Sequence, residues 1–119
     1  MTNLEVRQWY LSQVSKIPIL NEEWTRYGLS AEQRARRAWQ IRHDARLMAR
    51  EKMEDPREVK LLRDRDMALY GNPDGPTFEF LTAKASKLGW GGDKMYHAIV
   101  AGSVITNADT DKEFGTSLE

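Results

Sequence analysis

Trp39, His43, Arg46 and Arg50 recur at i, i+4, i+7 and i+11, a spacing that sets them along one side of a helix, with Arg42 at the border. Guanidinium groups in a row suit phosphate, which they bind through paired, charge-assisted hydrogen bonds. A histidine among them adds a group able to move a proton, as a general base must. The competing reading of the row is a solvated face laced by ion pairs, with Asp44, Glu51 and Asp66 as partners. Asp66 stands out because it falls on the apolar side of its own helix, between Leu62 and Tyr70 at i+4 and i−4. A carboxylate is costly to bury unless paired. It is therefore expected to hold an arginine, either as a structural pair or as the group that orients His43 or Arg46 for chemistry. The candidate catalytic residues are His43, Arg46 and Asp66, and Arg42 and Arg50 are candidate substrate-binding groups.

A second group of candidates sits in Gly71-Asn72-Pro73-Asp74-Gly75-Pro76, the strongest loop signal in the chain. Prolines stiffen such a loop and glycines permit its turns, so its side chains are placed reproducibly. Asn72, Asp74 and Thr77 could present polar groups to a substrate, beside a helix N-terminus suited to an anion. The plainer reading is a helix connection in which Asn72 and Thr77 serve as caps. Other chemistries find less. His97 is the only other histidine, and a two-histidine mechanism needs both rings in one cleft, whereas His97 is expected on a solvated face. The chain has no cysteine, no zinc-binding spacing, no phosphate loop, no dinucleotide glycine pattern, no Gly-x-Ser-x-Gly elbow and no calcium loop. No metal and no cofactor is expected. Trp9, Trp24, Trp39 and Trp90 are expected to anchor the core.

These residues need a scaffold. A chain of 119 residues fits one domain, 1–114, followed by a floppy tail, 115–119, in which Leu118-Glu119 has the look of a vector remnant. The net charge is zero, which argues for no class of partner and weighs against a nuclease. Only the distribution is informative: from Ser30 to Met53 there are seven Arg or Lys and three Asp or Glu. No apolar run reaches the roughly 20 residues that span a bilayer, and the N-terminus lacks a signal-peptide core. A cytoplasmic location without a membrane partner is expected, and the absence of cysteine suits a reducing compartment.

Helix signals dominate. A first helix is expected from Thr2 or Asn3 to about Lys16, stopped by Pro18, and a short one over Glu22 to Tyr27, capped by Asn21. Ser30-Ala31-Glu32-Gln33 is a capping box that opens the longest helix, about 30–53. Its core stripe is read as Ala38, Ile41, Ala45 and Met48, buried against the next helix. That helix begins at Asp55-Pro56 and closes at Gly71. Thr77 caps a helix with the stripe Phe78, Leu81, Ala85 and Leu88. Asp93 caps another. Val104-Ile105-Thr106 is compatible with a short strand, and a last helical turn covers Asp109 to Phe114. Strand signals are too few for a sheet, so the fold class is all-α, a compact single-domain bundle of about six helices around one long helix.

Three blocks, Ile41-Arg42-His43-Asp44-Ala45-Arg46, Tyr70 to Glu79, and Thr106-Asn107, together resemble the small C-terminal toxin domains of bacterial polymorphic secreted effectors, including the Rhs type. The resemblance extends over roughly Val6 to Gly115. It implies a domain that a secretion system delivers into the cytoplasm of a neighbouring cell, where a cognate immunity protein counters it. Many such domains act on nucleic acids or nucleotides, so a phosphate-bearing substrate is implied. The resemblance assigns no residue a role, and whether the domain is an enzyme stays open, as does its oligomeric state. The alternative is a non-catalytic helical interaction module, such as a secretion adaptor or a phage-type regulator. A nucleic-acid binder using the cationic helix is a third reading.

Overall fold

A computed structural model of the chain describes residues 1–114, and the expected tail lies outside them. Seven helices form: α1 (Asn3–Val14), α2 (Ile17–Arg26), α3 (Ala31–Glu51), α4 (Pro56–Tyr70), α5 (Phe78–Lys87), α6 (Gly92–Ala101) and α7 (Asn107–Phe114). There is no strand among the described residues, and Val104 to Thr106 is a turn. The chain is thus all-α, and none of the described helices is long and apolar enough to cross a membrane.

Local signals set most boundaries. Thr2 and Ser30 both form capping boxes, each accepting from the N3 amide while Glu5 or Gln33 reaches back. Asp55 caps α4 with Pro56 at N1, and Gly71 ends it with a left-handed φ of 68°. Three expectations fail near helix starts. Pro18 does not stop a helix but lies in the first turn of α2, where its missing N–H is no loss. Asn21 is therefore inside α2, and its Oδ1 accepts from Arg34 Nη1 at 3.0 Å. At α6 the N-cap is Gly91, not Asp93.

The long helix is the common wall of two cores. Ala35 and Ala38, in its first half, pack with Ile17, Trp24, Phe78, Leu81 and Ile99. Ala45 and Ala49, in its second half, pack with Val6, Tyr10, Leu62 and Phe114. The buried stripe of α3 is thus Ala31, Ala35, Ala38, Ala45 and Ala49, while Met48 is 50% exposed and Ile41 only half-buried. Small side chains let neighbouring helices approach closely. α3 packs mainly on α6 and α1, not on α4 as expected, and α4 packs on α7.

α7 closes the second core. Phe114 is fully buried, its ring 5.2 Å from that of Tyr10, and Arg7 Nε pairs with Asp111. Residues 7 and 10 meet 111 and 114 in the same order, so α1 and α7 lie side by side pointing the same way. Phe114→Ala should cost about 3–5 kcal/mol, the usual range for emptying a buried phenylalanine site. Denaturant unfolding reads this directly, and a loss below about 1 kcal/mol would mean that α7 does not complete the core.

Candidate functional site

The arginine row of α3 points inward. Arg46 is 3% exposed and Arg50 7% exposed, between the second core and the 71–77 loop. Arg46 donates from Nε and Nη2 to both carboxylate oxygens of Glu113, the second contact at 2.8 Å. Its Nε is also 3.8 Å from Asp66 Oδ2. Arg50 Nη2 donates to Asp66 Oδ2, and its Nη1 donates to Asp74 Oδ1 at 3.3 Å. The guanidinium of Arg46 lies 5.8 Å from the ring centre of Tyr10 and 5.7 Å from that of Tyr70. The expected phosphate grip is thus corrected: these arginines hold carboxylates of their own chain. Asp44 and Glu51 are not their partners; Asp44 accepts from Gln40 instead.

Electrostatics follow from this packing. Burial works against the charge of Arg46, but the Glu113 carboxylate and its hydrogen bonds more than offset it, and the group is held above its ordinary range. Burial pushes Asp66 up to about 7 from 3.8, helped by Glu113 and opposed by Arg46 and Arg50. Its Oδ1 has no hydrogen-bond partner among the described residues, which also favours a proton there. Burial first, then Glu113, raises Tyr70.

The Asn72–Thr77 loop is held onto this cluster. Asn72 Oδ1 accepts from the Asp74 amide at 2.8 Å, closing a local turn. Thr77 caps α5 by accepting from the Phe80 amide at 3.0 Å. Trp39 Nε1 donates to the Pro76 carbonyl at 2.9 Å. Gly75 has φ of 98°, and a Cβ there would sit 2.6 Å from Arg46 Cδ. Glycine at 75 is therefore required twice, by the backbone and by the arginine beneath it. Thr77 acts as a cap, but Asn72 caps no helix and closes the loop turn, and Asp74 is an ion-pair partner. Thr106 also starts a helix: its hydroxyl accepts from the Asp109 amide at 3.2 Å.

His43 is half-buried and stacks on Trp39, with ring centres 5.1 Å apart, and its Nδ1 is buried without a partner. It does not line the central cavity. That cavity, about 170 Å³, lies between α1, α3, α6 and α7, with Tyr10, Trp39, Arg42, Arg46, Pro76, Ile105 and Thr110 on its walls. Asp66, Asn72 and Asp74 lie outside it. His97 is exposed, at a different cleft with Asn21 and Arg34, so the two histidines share no cavity. Among the described residues no cluster of His, Asp or Glu is arranged to hold a metal ion.

Arg42 is the arginine of the row that no carboxylate holds among the described residues. It donates from Nη1 to the Ile99 carbonyl at 2.8 Å and from Nη2 to the Val100 carbonyl at 2.9 Å, at the C-terminal end of α6. Burial lowers its pKa from the usual arginine value, Tyr10 works against this, and Arg46 lowers it further. The residue missed altogether is Glu113. It lies in a short final helix beside Phe114, and nothing in its neighbourhood signals that Arg46 lies opposite. Compared with protein-family models, curated proteins and solved structures, the chain matches none.

Two outcomes check this cluster. Arg46→Met or Glu113→Leu alone should cost about 3–5 kcal/mol, because each strands a buried charge. The double variant should recover most of that loss in denaturant unfolding, whereas additive losses would show that the two groups are not coupled. Asp66 makes stability depend on pH. Its folded pKa of about 7 exceeds the unfolded 3.8, so between these values the folded chain holds a proton that the unfolded chain releases. On this account stability falls as pH rises from about 4 to 7. Asp66→Asn should flatten that part of the stability profile, and an unchanged slope would assign the titration elsewhere.

Proposed function

We propose that this chain is an effector toxin domain that acts in the cytoplasm of a bacterial cell on a phosphate-bearing molecule, nucleic acid or nucleotide, and is countered by an immunity protein. One observation carries the reading. Two of the three blocks behind the resemblance meet in space: Arg46 lies under Gly75, and Arg42 and Pro76 border one cavity, which Trp39 and Ile105 beside the blocks also line. Segments far apart in sequence thus build one locality from an aromatic wall, a guanidinium and a rigid loop.

The proposal places ligand contact at the Arg42 cavity. Arg46, Asp66 and Arg50 serve there as positioning residues, since they fix α3, α4 and the loop relative to one another without reaching solvent. A specific observation favours the second reading, a non-catalytic interaction module: of the expected His43–Arg46–Asp66 set, only Arg46 borders this cavity.

Expression of the chain in the cytosol of a bacterium lacking any immunity partner separates these readings. The toxin reading predicts growth arrest on induction. Normal growth with folded protein accumulating would overturn it in favour of the module.

A further inference from the structure

We propose that the cavity between α1, α3, α6 and α7 binds a single aromatic ring bearing a phosphate or a carboxylate, with the Arg42 guanidinium as the anion's anchor. This deepens the function proposed above by naming a ligand class at the same place. Arg42 stands on the alanine stripe of α3, between Ala38 and Ala45, where a small side chain would suffice for packing. A long cation is seated there instead, and the fold makes room for it. Gly102 closes α6 with φ of 78°, and a Cβ at that position would lie 2.9 Å from Arg42 Nη2.

The seat leaves Arg42 unfinished. Arginine carries five N–H donors, and two of those of Arg42 are used on the Ile99 and Val100 carbonyls. The remaining donors have no acceptor among the described residues. Arg46 and Arg50 each hold a carboxylate, whereas Arg42 has none within salt-bridge distance among those residues. The C-terminal end of α6 supplies only a partial negative charge, about half an elementary charge. A half-buried guanidinium in that position is best completed by an anion.

Volume and wall chemistry set the rest of the ligand. The cavity is about 170 Å³, close to the roughly 150 Å³ that admits benzene in an engineered protein cavity. Leu81, Ile99, Val104 and Ile105 make much of its wall apolar, with Tyr10 and Trp39 as aromatic neighbours. A ring fits, and a polyphosphate chain would find only one guanidinium free of a carboxylate, because Arg46, which also borders the cavity, is held by Glu113.

The purified chain titrated with phenyl phosphate, benzoate, benzyl alcohol and inorganic phosphate tests this by calorimetry and amide NMR. An aromatic anion should bind at least about tenfold tighter than both benzyl alcohol and inorganic phosphate, and should shift resonances around Trp39 and Gly102. The ranking of phenyl phosphate against benzoate assigns the anion. Arg42→Met should remove the preference for the anion while benzyl alcohol still binds. Val14→Phe, which fills the cavity and leaves Arg42 intact, should abolish binding of both and keeps the test decisive if the Arg42 variant does not fold. Equal affinity for anion and neutral ring, no shifts at millimolar probe, or unchanged binding in folded Val14→Phe would overturn the proposal. Selective binding by a chain that does not arrest growth would support the site and overturn only the effector reading.

Discussion

The bidentate pairing of Arg46 with Glu113 is the constraint around which the rest of the molecule is arranged. An arginine that is 3% exposed cannot be left unpaired, and its partner comes from the last described helix. Through Arg46 the chain's middle helix, its C-terminal helix and the glycine of its central loop occupy one spot. Asp66 and Arg50 extend the cluster to α4 and to Asp74. Arg42, one turn before Arg46, ties the end of α6 to the same helix. A hydrophobic cluster of similar volume would tolerate slippage, whereas matched carboxylates and guanidinium groups hold one register.

Much of the fold was legible because helix ends carry local chemistry. Ser30 and Gln33, Asp55 and Pro56, Gly71 and Thr77 mark boundaries with their own side chains or backbone, and the structure uses them in those roles. Pro18 misleads because proline both ends helices and begins them, and the residues around it do not decide between the two. The core stripe of α3 was half legible. Ala31, Ala35, Ala38, Ala45 and Ala49 keep a regular spacing that continues through Arg42. Weighting Ile41 and Met48 as core residues by size hid the pattern, since tight helix contacts select small side chains.

The site was legible as a neighbourhood and not as a mechanism. The pairing of Asp66 with an arginine follows from its place on an apolar helix face. The charge of Arg46 and Arg50 suggested solvent or substrate, because their internal partners are remote in sequence. Glu113 and Asp74 come from other elements, and helical periodicity carries no information about which helix stands opposite. Burial cannot be read from residue type when long side chains reach across a helix interface.

The parallel arrangement of α1 and α7 has a mechanical consequence. Parallel neighbours place the chain's entry and exit at opposite ends of their shared interface, so tension applied through the two ends loads that interface in shear. Sliding the helices past one another would have to disrupt the Arg7–Asp111 pair and the Tyr10–Phe114 contact together. Stretching the domain from both ends would meet the combined resistance of both contacts.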